Sequence, residues 1–192
     1  MSTLFLFLFA LLGLIFSAFF SGMEIAFISS SKLKIELDNK KGQFSAKILS
    51  FFSSKPAWFI AAMLIGNNIA LVIYTLYVAE LIEPYLTSLA LNSSIILLFQ
   101  TLFSTFFILL FAEFLPKSIF RLNPNYTLRI FSLILFVFYI ILWPITAFVV
   151  NLSTSILKLF GNEESINKVS FKKTDLDLYC LLYTSDAADD DV

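Results

Sequence analysis

The chain has 192 residues, of which 59% are hydrophobic and only 14% are charged. An ordinary soluble domain carries about 25% charged residues, and a soluble fold of ~150 residues still leaves about 30% of its surface in water. A chain this apolar cannot cover such a surface with polar side chains. Lipid is therefore the expected solvent for much of the molecule.

Charge and residue usage exclude several classes of function. Thirteen Lys and Arg against fourteen Asp and Glu give a net charge of −1, which is not the basic footprint of a nucleic-acid-binding protein. The lack of His and the single Cys180 exclude ordinary zinc sites and the Ser-His-Asp and Cys-His nucleophiles. We therefore expect no enzyme, and we expect any bound metal to be a hard cation held by oxygen.

Four apolar stretches are long enough to matter, since a membrane-spanning helix needs about 20 residues. They cover residues 3–28, 57–79, 94–116 and 130–150. The first is expected to stay in the protein rather than be cleaved as a signal peptide. No Lys or Arg precedes it, and its apolar run exceeds the 7–15 residues of a signal-peptide core.

The positions of Lys and Arg predict the orientation, because these residues concentrate on the cytoplasmic side. Six lysines lie between the first two stretches, whereas residues 80–93 carry two Glu and no basic residue. Basic residues return after the third stretch, at Lys117, Arg121 and Arg129. The N-terminus is therefore predicted outside and the C-terminus in the cytoplasm.

The fourth stretch does not fit a simple alternation of crossings. Basic residues flank it on both sides, and Pro144, which removes a helical hydrogen bond, lies inside it. We predict a Pro-kinked helix packed at the cytoplasmic side, with a full crossing as the alternative. Residues 32–55 place apolar side chains at helical spacing between lysines and predict short amphipathic helices, broken near Gly42.

The predicted fold class is thus an all-α membrane protein. It has three transmembrane helices, juxtamembrane amphipathic helices, and a Pro-kinked fourth apolar helix at the cytoplasmic side. Residues 1–160 are expected to form the transmembrane domain and residues 161–179 the start of a cytoplasmic linker. Residues 180–192 are expected to be a non-native or disordered tail, because they end in a run of small and acidic residues.

Polar groups at membrane depth are costly and are therefore candidates for function. Ser17, Ser21 and Glu24 follow one another at i, i+4 and i+7, which places them on one face of the first helix. The other two helices carry a second set, which comprises Gly66, Asn67 and Asn68, and Glu113 shortly before Pro116. Pro116 lacks an N–H, so the carbonyl of Ala112 loses its helical partner. All are oxygen donors of the kind that Mg²⁺ and Ca²⁺ prefer.

Each of these polar groups also has a structural explanation. The serines pack helices and hydrogen-bond the preceding turn in many membrane proteins, and asparagines join helices through hydrogen bonds. Glu24 has Lys32 within reach at the cytoplasmic headgroups, and Glu113 has Lys117 at i+4. The alternative function is accordingly a non-transporting membrane scaffold or anchor for a partner complex.

Three segments resemble the cyclin-M/CorC magnesium and cobalt transport family in its N-terminal transmembrane domain. They are SAFFSGMEIAFISSSKLKIE at 17–36, IGNNIA at 65–70 and AEFLPKSI at 112–119. They occur in the order and spacing of that family. The Phe- and Ile-rich sequence also resembles the gliding-motility-associated, hemolysin-like subgroup, which implies the inner membrane of a bacterium.

The resemblance implies a homodimer that exports dehydrated Mg²⁺, held by side-chain and carbonyl oxygens on the cytoplasmic side. Carried over by position, the ligands are Ser17, Ser21, Gly22, Asn67 and Glu113, with Glu24, Asn68 and Ala112 as secondary candidates. It also implies a nucleotide-binding CBS pair and a C-terminal domain, which this chain lacks.

The chain departs from the family's pattern at two positions. Leu71 stands where many relatives carry a further Asn, and Ala112 stands where many carry Gly. The first change removes an oxygen donor, and the second stiffens the backbone before Glu113.

Overall fold

A computed structural model describes residues 3–88 and 92–159, and every regular element within them is helical. The elements are α1 (Thr3–Ser29), α2 (Lys32–Lys40), α3 (Phe44–Ser54), α4 (Pro56–Thr87), α5 (Ser93–Phe107), a π-helical segment (Ile108–Phe114), α6 (Leu115–Leu122) and α7 (Pro124–Leu159). The predicted linker 161–179 and tail 180–192 lie outside the described residues.

Four helical stretches are long and apolar enough to cross a membrane. They are Thr3–Ser29, Pro56–Thr87, Ser93–Leu122 and Pro124–Leu159. The all-α membrane fold predicted from composition is therefore present. Helix α7 runs through Pro144 without a break, and its length suits either a crossing or the predicted cytoplasmic-side placement.

Helices α1 and α4 pack closely because small residues line their contact. A Cβ added at Gly13 would lie 2.8 Å from the backbone nitrogen of Tyr74 and 3.0 Å from the carbonyl oxygen of Ala70. Gly66 provides a second close approach, since a Cβ there would lie 2.8 Å from the ring of Phe20. Small residues allow such backbone contact where lipid supplies no hydrophobic drive for association. This close crossing determines which polar residues of α1 and α4 can contact one another.

Helices α2 and α3 form a hairpin between the first two long helices. Gly42 separates them with φ +77°, a backbone conformation that favours glycine. Ser31 caps the start of α2 by accepting a hydrogen bond from the Lys34 amide at 3.3 Å. The apolar faces of the hairpin bury Ile35, Ile48, Leu49 and Phe52. The break predicted at Gly42 is thus found in the structure.

Helix α7 packs on the fold through buried leucines and aromatic rings. Phe138 lies with its ring centroid 5.1 Å from that of Phe20, and Tyr139 lies 5.3 Å from Phe52. The first turn of α7 is tied to the start of the hairpin, because the Ser31 amide donates to Oδ1 of Asn125 at 3.1 Å. Edge-to-face and tilted ring pairs of this kind add about 0.5–1.5 kcal/mol each beyond area burial.

Candidate metal centre

Ser17 on α1 and Asn67 on α4 meet in the interior of the fold. The Ser17 hydroxyl donates to Oδ1 of Asn67 at 2.5 Å. Ser17 is fully buried and Asn67 is 9% exposed. The structure therefore brings together two predicted ligands that are fifty residues apart in sequence. By itself, this bond also fits the alternative in which asparagine joins two helices.

Ser21 lies one helical turn after Ser17. Hydrogen bonding between packed helices, which can explain Ser17, does not explain Ser21. It is fully buried, and its Oγ has no hydrogen-bond partner among the described residues. A serine that merely packs in a helix bonds the carbonyl of the preceding turn, and Ser21 does not. A buried hydroxyl without a partner costs about 1–3 kcal/mol. Its oxygen is therefore available to a ligand.

Gly22 lies beside Ser21 and is in close contact with α6. A Cβ at this position would overlap the Phe120 ring. Phe120 is not among the site residues predicted from the sequence. Its position shortly after Pro116 is the sequence feature that could have indicated it. Glycine at 22 thus allows α6 to approach α1 at the level of the two serines.

The π-helical segment carries Ala112 and Glu113. Its end is marked by the Leu115 amide, which donates to the carbonyl of Leu110 five residues earlier. Pro116 follows at once and is buried. Single π-helical turns inside α-helices are rare and occur often at functional sites. Sequence analysis predicted the freed carbonyl at Ala112 from Pro116 but did not predict the π-helix.

Glu113 and the secondary candidate Glu24 are both partly buried. Glu24 of α1 lies within electrostatic range of Glu113 and of Lys117. Within the described residues, no ion pair of 4 Å or less joins Glu113 to Lys117. The i+4 ion pair that would give Glu113 a purely structural role is therefore not formed.

The described residues contain no group of three or more His, Cys, Asp or Glu side chains placed to hold one metal ion. A cation at this site would therefore depend on neutral oxygens in addition to carboxylate. Ala112 is fully buried next to Glu113. Asn68 is exposed and does not share the buried position of Asn67. Of the two adjacent asparagines, the structure places only Asn67 with the serines.

Comparison with known proteins gives matches over most of the chain. The sequence model of the cyclin M transmembrane N-terminal domain matches residues 6–186. The chain is 29% identical over 134 residues to the UPF0053 protein MG146 of Mycoplasma genitalium, covering 70% of this chain and 30% of that protein. It is 26% identical over 150 residues to the UPF0053 inner membrane protein YfjD of Escherichia coli K12, covering 78% of this chain and 34% of that protein.

The chain thus spans about a third of the length of the curated relatives that it matches. The family match covers most of the chain, including all three segments that carry the resemblance. Together with the four long apolar helices, it confirms the family inferred from those segments. The chain belongs to the cyclin M transmembrane N-terminal domain family and forms a multi-pass membrane domain of that family.

Proposed function

We propose that this domain transports a divalent cation, with Mg²⁺ as the cargo. The ion is held between the helices by oxygens of Ser17, Ser21, Asn67 and Glu113 and by backbone carbonyls near Gly22 and Ala112. The observation that carries the proposal is the fully buried and unpartnered hydroxyl of Ser21. The relative YfjD is named an inner membrane protein, which supports the same location for this chain.

The chemistry of the donors suits a hard cation. Mg²⁺ takes oxygen ligands in near-octahedral geometry and gives up its waters reluctantly, so several protein oxygens must replace water together. The two hydroxyls belong to α1, the amide oxygen belongs to α4, and the carboxylate belongs to the π-helical segment. Because the other proposed ligands are neutral, the site carries less negative charge than a site built from several carboxylates. We propose that this allows the cation to leave again.

The arrangement in the membrane belongs to the same proposal. The N-terminus lies outside, the hairpin α2–α3 lies on the cytoplasmic side, and two copies associate as a homodimer. Nucleotide-binding CBS domains follow in the full-length protein.

The unpartnered hydroxyl makes Ser21→Ala the most direct test. The substitution removes a buried donor without a partner, so we expect the ion-free protein to be more stable by about 1–3 kcal/mol. The same change removes one cation ligand, so the stabilisation by added Mg²⁺ should fall. Unfolding of the purified chain in detergent, with and without Mg²⁺, measures both effects.

Ser132→Ala provides the matched control. Ser132 is buried, but its hydroxyl donates to the carbonyl of Arg129 in its own helix at 3.0 Å. Its removal should leave the Mg²⁺ effect unchanged and give no gain in stability. A Ser21→Ala protein that keeps the full Mg²⁺ effect would contradict a ligand role for this residue.

Transport itself is tested by flux into liposomes that contain a Mg²⁺-sensitive dye. Asn67→Ala removes an amide oxygen and the acceptor of the Ser17 hydrogen bond, so we expect flux to fall to the level of empty liposomes. Asn68→Ala is the control, because its side chain is exposed beside the same helix turn. Equal flux from wild type and Asn67→Ala, or flux from neither, would favour the scaffold function.

A further inference from the structure

A small pocket lies outside the candidate metal centre, between the hairpin and the start of α7. Its volume is about 120 Å³, which is room for a few water molecules or one compact polar group. The polar residues that line it are Lys34, Asp38, Gln43, Ser45, Asn125 and Arg129. It thus combines side chains of the hairpin α2–α3 with side chains of α7, which is distant in sequence.

Two cations line this pocket without a carboxylate partner. Within the described part of the chain, neither Lys34 nor Arg129 has an Asp or Glu oxygen within 4 Å. The carboxylate in the wall, Asp38, lies 3.8 Å from the ammonium of Lys41 instead. With Lys34 and Arg129 against Asp38 alone, positive charge exceeds negative charge in the wall of the pocket.

The start of α3 adds further donors to the same pocket. Gln43 is the N-cap residue of this helix and makes no capping hydrogen bond with its side chain. The first amides of α3 consequently have no side-chain cap. The positive end of a helix and two cations face one space, and this combination favours an anion such as phosphate.

The surroundings of the pocket point to a lipid as the source of that phosphate. The pocket is next to the end of α1 and the beginning of α7, two long apolar helices. Tyr126 in its wall is 68% exposed, and the neighbouring Phe44 is 69% exposed. Exposed aromatic rings beside cations are typical of the headgroup level of a membrane. The six lysines of this region suit the anionic cytoplasmic leaflet.

We propose that this pocket binds the phosphate group of an anionic phospholipid. Lys34 and Arg129 neutralise the phosphate, and the first amides of α3 with the Ser45 hydroxyl donate hydrogen bonds to it. The bound lipid adds a second polar link between the hairpin and α7, beside the Ser31–Asn125 hydrogen bond and their apolar contacts. This proposal is independent of the transported ion, because no candidate ligand of the metal centre lines the pocket.

The test is lipid binding to the purified chain in detergent, measured by native mass spectrometry with phosphatidylglycerol, phosphatidylcholine or inorganic phosphate. The double variant Lys34→Gln/Arg129→Gln should bind phosphatidylglycerol up to about 30-fold more weakly, since each direct contact between an exposed cation and the phosphate contributes up to roughly a factor of five. Lys47→Gln/Lys55→Gln is the matched control. It removes two exposed lysines of the same region that do not line the pocket, and it should keep most of the affinity.

Three results would overturn the proposal. Equal losses in the two double variants would assign lipid binding to general surface charge. Equal affinity of the wild type for phosphatidylcholine would show that anionic lipid is not selected. Inorganic phosphate that binds as tightly as phosphatidylglycerol would assign the pocket to a soluble phosphate. All four substituted side chains are exposed, so both variants should keep the wild-type unfolding midpoint in phosphatidylcholine.

Discussion

Glu113→Gln is expected to abolish the stabilisation of the purified chain by Mg²⁺ while leaving the fold intact. The substitution keeps the shape and hydrogen-bonding capacity of the side chain and removes the charge that the proposed site needs. A ligand at 100 times its Kd stabilises the native state by about 2.7 kcal/mol, and this increment should disappear. Thermal unfolding in detergent over a Mg²⁺ titration measures it.

Two further variants make this result specific. Glu80→Gln removes an exposed carboxylate from α4 and should leave the Mg²⁺ titration unchanged. Lys117→Gln tests the alternative in which Glu113 serves only an ion pair with Lys117. In that case Lys117→Gln should lower the stability of the protein as much as Glu113→Gln does. Full Mg²⁺ stabilisation in the Glu113→Gln protein would leave the scaffold function ahead of transport.

Gly13→Ala is expected to destabilise the domain more than the same substitution at another glycine of the α1–α4 contact. The new Cβ would lie 2.8 Å from the backbone nitrogen of Tyr74, and a helix backbone cannot move aside as a side chain can. Overpacking of this kind costs about 1–3 kcal/mol. Equilibrium unfolding in mixed micelles gives the free-energy difference.

Gly66→Ala is the matched comparison, because it makes the same chemical change on the partner helix. Its Cβ would meet the ring of Phe20 at 2.8 Å, and an apolar groove of about 290 Å³ beside both residues gives that ring room to turn. Both substitutions gain the same helix propensity, so their difference isolates the contact. Equal unfolding free energies for the two variants would show that α1 and α4 separate easily.

Much of the fold could be predicted from the sequence because lipid imposes strong constraints on it. Apolar length alone predicts the long helices, and Gly42 predicts the break between α2 and α3. The i, i+4 spacing of Ser17 and Ser21 places them on one face, but it does not say what that face meets. The bond between Ser17 and Asn67 depends on the register of two helices, which no local pattern fixes.

Other features follow from tertiary contacts and leave little trace in the sequence. The π-helical segment needs one extra residue within a turn, and the sequence signals it only indirectly, through Pro116. Phe120 looks like an ordinary apolar residue until α6 is packed against Gly22. The course of α7 through Pro144 likewise could not be predicted, since proline permits both a bend and a continuous helix.

The hydrogen bond between Ser17 and Asn67 affects whether the oxygen of Ser17 in the proposed site suits a cation or an anion. Ser17 has a single hydroxyl proton and gives it to Asn67, so only the lone pairs of its oxygen face the surroundings. A hydroxyl that donates also becomes a better acceptor, because hydrogen bonds in a chain polarise one another. The lone pairs of this oxygen repel a chloride ion, whereas they are already oriented to coordinate a cation. In the proposed site, the Ser17 oxygen therefore favours a cation over an anion before any ion arrives.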